Sequence, residues 1–131
     1  RLSDKAGDAE ARRIFLSLVA DERRHRELLQ KRYLDTVGKP FVAGPVKPIP
    51  LPPDGDRMLW PAALTLAIKG ETAAHDGYLK AAAQATDQDG QAMYRQLAED
   101  EAGHRRLLEA EYAARLGQPF AEYELETWVR E

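Results

Sequence analysis

The sequence predicts an all-α protein, a bundle of long helices, and three observations carry that prediction. Apolar residues recur three and four apart over 8–36, 61–85 and 89–116, the spacing of one face of a helix. Residues 38–57 hold six of the eight prolines and three of the glycines, a composition that breaks helices. The sequence also repeats itself. Residues 21–41 laid over 100–120, an offset of 79, match at ten of 21 positions without a gap.

The elements follow in order. Residues 1–7 read as the end of one helix and a turn, with Gly7 as the stop and Asp8 as the N-cap of the next helix. The helix 8–36 has a seam of Ala11, Phe15, Leu18, Glu22, His25, Leu29 and Tyr33, and Gly38-Lys39-Pro40 ends it. The segment 38–59 is then a crossover rather than a hairpin turn. About 20 extended residues reach roughly 60 Å, more than the roughly 38 Å of a 25-residue helix. Pro61 suits the first turn of the helix 61–85, whose seam is Leu64, Ile68, Glu71, His75 and Tyr78. A short turn at 86–90 leads to the helix 89–116, with Tyr94, Leu97, Glu101, His104, Leu108 and Tyr112 on its seam. The tail 117–131 carries Phe120, Tyr123, Leu125 and Trp128 and reads as a short helix packed on the end of a domain spanning 1–116. Both Tyr33 and Tyr112 read as core.

Extending the offset backwards maps Lys80 onto Arg1, so Pro61–Tyr78 should have a counterpart upstream, with the equivalent of Glu71 nine residues before Arg1. The expected whole is four helices related by a pseudo-twofold. The first is supplied by residues upstream or by another subunit, and it carries a fourth carboxylate.

Composition narrows the chemistry. With 19 basic and 22 acidic residues the net charge is −3, which gives no electrostatic case for nucleic acid or for an anionic membrane. No apolar run is long enough to span a bilayer. The absence of cysteine removes disulfides, thiolate metal sites and cysteine nucleophiles together, and fits a reducing, cytoplasmic location. Any metal must be held by His, Asp and Glu.

Those residues occur in a pattern. Asp21-Glu22-Arg23-Arg24-His25 and Asp100-Glu101-Ala102-Gly103-His104 occupy the same place in the two copies of the repeat. Residues three apart on a helix share a face, so each Glu-x-x-His pair can set a carboxylate oxygen and an imidazole nitrogen around one ion. One such pair is a common accident, and Arg23, Arg24 and Arg26 fit a solvated face. Two pairs on apolar seams, with Glu71 on the seam of the helix between them, are a different matter. Buried carboxylates cost several kcal/mol unless they are paired or coordinated. Two metal ions would supply the positive charge, and mixed carboxylate and imidazole ligands suit iron or manganese, with zinc as a substitute.

On these residues the chain resembles the ferritin-like di-iron carboxylate proteins, most closely the rubrerythrin group. That superfamily builds its site from a Glu on each of two helices and a Glu-x-x-His on each of the other two. Residues Phe15–Leu29 and Tyr94–Leu108 resemble the second and fourth helices of the bundle, and Ile68–Tyr78 resembles the third. The resemblance implies a ferritin-like four-helix bundle with two iron ions. Glu22, His25, Glu71, Glu101 and His104 would be the ligands, and Glu22, Glu71 and Glu101 the catalytic carboxylates. Asp21 and Asp100 could orient a ligating imidazole, Tyr78 could hydrogen-bond a ligand carboxylate, and His75 could be an extra ligand. The sequence departs from rubrerythrins proper at Ala74, where they carry a second Glu, and in lacking the cysteines of a rubredoxin module.

The chemistry implied is oxidation of a ferrous pair by hydrogen peroxide or dioxygen, with peroxide reduction favoured and an external rubredoxin-like or flavoprotein electron donor. Two rivals stand beside it: ferroxidase-type iron handling or storage, and a helical interaction module that has lost its metal. Three helices with a buried half-site would expose an apolar groove, so a homodimer or larger is expected, with helix exchange between protomers as one route.

Overall fold

The computed structural model describes residues 2–40 and 60–121, and among them the protein is all-α. Helix α1 runs Leu2–Val37, α2 Trp60–Gln84 and α3 Gln88–Leu116. The crossover residues 41–59 and the tail residues 122–131, with Tyr123, Leu125 and Trp128, lie outside the described residues. The chain divides into two units, residues 1–57 with α1 and residues 58–131 with α2 and α3. No helix among the described residues is long and apolar enough to cross a membrane.

The first unit corrects the expectation for the start of the chain. Gly7 does not stop a helix and Asp8 does not begin one, because α1 is continuous from Leu2. A glycine inside a helix costs only about 1 kcal/mol relative to alanine, and here Lys5, Ala6, Ala9 and Glu10 propagate the helix through it. A glycine stops a helix by taking the left-handed backbone, and among the described glycines only Gly38 (φ 78°) and Gly117 (φ 69°) adopt it. Gly38 donates its N–H to Leu34 O at 2.9 Å and closes α1 there.

Along α1 the buried residues are Ala11, Leu18 and His25, spaced by seven, with Phe15 and Leu29 half-buried between and beyond them. Tyr33 does not join them: it is 39 % exposed, close to Leu34 and Val37 near the end of the helix, which are exposed too. A tyrosine tolerates that place because its phenol tip is polar.

In the second unit a connection of three residues, Ala85–Asp87, makes α2 and α3 antiparallel neighbours. The turn is held from both sides. The Asp87 carboxylate caps α3 by accepting from Gly90 N at 3.0 Å, and Gln91 Nε2 donates to Ala85 O at 3.0 Å. Leu64, Ile68, Leu97 and Leu108 are wholly or almost wholly buried, and Ala82 and Ala98 are small enough to let the backbones approach. At the far end Gly117 donates to Ala113 O at 2.9 Å and terminates α3. The chain turns there so that Phe120 meets the buried Tyr112 ring edge-on, at a centroid distance of 5.2 Å. The apolar face thus built continues, midway along both helices, into three ionisable side chains.

Candidate metal centre

Those three are Glu71 on α2 and Glu101 and His104 on α3. Helical spacing delivers them: Glu71 lies three residues after Ile68, and Glu101 and His104 lie four and seven after Leu97, all on the buried seam. One oxygen or nitrogen from each lies within 4.8 Å of the others. His104 Nδ1 is 3.4 Å from Glu71 Oε2 and 3.4 Å from Glu101 Oε2. The Glu101 side chain has no exposed surface, His104 shows 7 % and Glu71 11 %.

The donor set fits a metal ion. Two ligand atoms each about 2.1 Å from a common first-row ion are roughly 3.0–3.4 Å apart for right-angled to tetrahedral arrangements. The observed separations match that spacing. Glu71 Oε2 is buried and accepts no hydrogen bond, so the nearby imidazole nitrogen does not compensate it as a donor would. Two carboxylates withdrawn from water beside one imidazole need positive charge at their centre. Mixed oxygen and nitrogen donors suit iron, manganese or zinc.

The first copy of the motif lies on α1. Within that unit Glu22 Oε1 is 4.0 Å from His25 Nδ1, so the three-residue spacing does turn the pair to one face. His25 is buried, whereas 45 % of the Glu22 side chain is exposed. Asp21 pairs with Arg24 one turn along α1, and Asp100 accepts from Gln96 Nε2 at 2.9 Å on α3. Tyr78 is half-buried on α2.

His75 takes no part in the trio of Glu71, Glu101 and His104. Its Nδ1 is 3.2 Å from Asp76 Oδ1 and a third of its side chain is exposed. It lines instead an open cavity of about 440 Å³, which Glu71 and Glu101 also line. The cavity is open, so solvent comes up to Glu71, whereas the Glu101 side chain keeps no exposed surface.

Two residues of this wall were not singled out by the sequence. Arg105 donates through a terminal guanidinium nitrogen to Thr72 Oγ1 at 2.7 Å and through Nε to Glu109 Oε1 at 2.8 Å. Thr72 in turn donates to Ile68 O at 2.8 Å. The repeat did mark Arg105, as the match of Arg26, but nothing in the pattern marked Thr72.

Comparison with known proteins agrees with the geometry. The rubrerythrin family model matches residues 62–129, just over half of the chain and all of α3. No curated protein and no solved structure gives a significant match.

Proposed function

This chain belongs to the rubrerythrin family, and from that premise we propose that it is a di-iron protein whose reaction is the two-electron reduction of hydrogen peroxide. Glu71, Glu101 and His104 would hold one half of the centre, and Glu22 and His25, the same motif in the other copy of the repeat, the other half. The carboxylates would ligate or bridge, and each histidine would cap one ion. One observation carries the reading: His104 Nδ1 lies 3.4 Å from a buried carboxylate oxygen of each of Glu71 and Glu101, and Glu71 Oε2 accepts no hydrogen bond.

Bound iron would supply the electrons, one from each ferrous ion, while peroxide takes up two protons and leaves as two waters. The chain's own residues set the conditions. Glu101, with no exposed surface, keeps one side of the centre dry, where electrostatic interactions are strong. The cavity lined by Glu71 and Glu101 has room for a molecule of the size of peroxide or dioxygen. Electrons that return the centre to the ferrous state would come from a donor outside residues 1–131, which hold no cysteine for an iron–thiolate centre.

The test is metal content per chain by mass spectrometry, with the absorption spectrum after anaerobic Fe(II) loading and addition of peroxide. Wild type should hold about two irons, the count of the ferritin-like carboxylate proteins, and develop ferric absorption. Glu101→Ala should lose both. Full metal loading in Glu101→Ala would overturn the site. Faster oxidation by dioxygen than by peroxide in stopped flow would overturn the choice of oxidant.

A further inference from the structure

Glu71 and His104 meet across the α2–α3 interface, and so do the residues that follow each of them, Thr72 and Arg105. The next residue on a helix lies about 100° further round its axis. The second contact therefore stands beside the first, on the cavity side, where both Thr72 and Arg105 form part of the wall. One contact between two helices limits their separation. Two contacts at different angles also limit rotation of each helix about its own axis.

Rotation matters for the carboxylate. At a side-chain radius of about 6 Å, a 10° turn of α2 would move the end of Glu71 by roughly 1 Å. Ligand atoms must be held to about half of that.

We infer that Arg105 and Thr72 are positioning residues for the metal ligands, forming a clamp that fixes the angle at which Glu71 faces Glu101 and His104. The inference rests on the metal-binding reading above. Both partners are constrained before they meet. The Thr72 hydroxyl spends its proton on Ile68 O, which aims a lone pair outward, and Glu109 braces the guanidinium from one turn further along α3. Arginine suits the task because its planar fork offers donors in fixed directions, whereas lysine would offer one mobile point charge. The Arg105 side chain is 23 % exposed, so these bonds are only partly screened. The counterpart of Arg105 is Arg26, which is exposed, and the counterpart of Glu109 is Gln30.

The test is anaerobic titration of the metal-free full chain with Co(II), read by its visible spectrum. The variants are Thr72→Val, Thr72→Ser, Arg105→Gln, the double Thr72→Val/Arg105→Gln, and Glu101→Ala. Thr72→Val keeps the shape and removes the hydroxyl, both the acceptor for Arg105 and the donor to Ile68 O. It and Arg105→Gln should each weaken Co(II) affinity about tenfold, the lower end for partners of metal ligands, and shift the ligand-field bands. Thr72→Ser should restore both affinity and spectrum. The double variant should bind no more weakly than the weaker single, because both changes break one contact. The clamp is overturned if Thr72→Val binds Co(II) as wild type does, or if the two losses multiply in the double. A clamp that only stiffens the helix pair would lower the melting temperature and leave affinity and spectrum alone. If wild type takes up no Co(II), or Glu101→Ala takes up as much, the metal reading itself fails, and the clamp with it.

Discussion

His104 Nδ1 faces Glu71 Oε2 at 3.4 Å across two helices, and Glu101 Oε2 lies at the same distance from it. The trio spends buried space on ionisable groups where Leu64, Ile68, Leu97 and Leu108 supply hydrocarbon on either side. A protein without an ion to bind would gain by replacing them.

That sets the first prediction. Glu101→Leu in chelator should be more stable than wild type, because it leaves one buried carboxylate beside the imidazole in place of two. With metal at about 100 times its dissociation constant, wild type should gain about 2.7 kcal/mol and the variant nothing. The order of melting temperatures should narrow or invert, which calorimetry with and without chelator can read. A variant less stable than wild type in chelator would mean that Glu101 is held for structure.

Packing beside the site gives the second. Ile68 has no exposed surface and precedes Glu71 by one turn, so Ile68→Ala should cost roughly 2–5 kcal/mol in urea unfolding. Leu79, on the same helix, is 46 % exposed, and Leu79→Ala should stay within about 0.5 kcal/mol of wild type. Equal costs would show that the buried seam of α2 has been misplaced.

The third concerns the helix ends, where the sign depends on backbone angle. Gly117 has φ 69°, and Gly117→Ala should destabilise by about 1 kcal/mol. Gly70 lies inside α2, and a Cβ at that position would have no neighbour within 4 Å, so Gly70→Ala should stabilise by roughly 0.5–1 kcal/mol. Asp87→Ala removes the cap on Gly90 N and should cost about 1 kcal/mol. Thermal melts of the three variants in chelator check all of these signs together.

How much of this was legible in the sequence depends on the range of the interaction that decides it. The all-α class follows from periodicity, a local property, and the repeat brought Glu101 and His104 forward as a pair. Glu71 could be read from its place on an apolar seam. Gly7 misled because a glycine marks a helix end only when its backbone turns left-handed, and a few good helix formers on each side prevent that. Tyr33 misled because it lies on the apolar seam of its helix, as Tyr112 does on its own, yet burial depends on neighbours such as Phe120 that a periodicity does not contain. Thr72 was illegible for the same reason, and the repeat marked Arg105 without showing its partner. Their bond spans 33 residues of sequence and exists only once two helices have a fixed rotation.

The three-residue connection between α2 and α3 has a kinetic consequence. All three ligand atoms of the trio come from a single helical hairpin, with most of the chain between Glu71 and Glu101 already helical and the turn fixed by Asp87. Helical hairpins have low contact order, and structures of that kind form in microseconds to milliseconds. The trio therefore asks for little conformational search, and its ligands can come together on the timescale of hairpin closure.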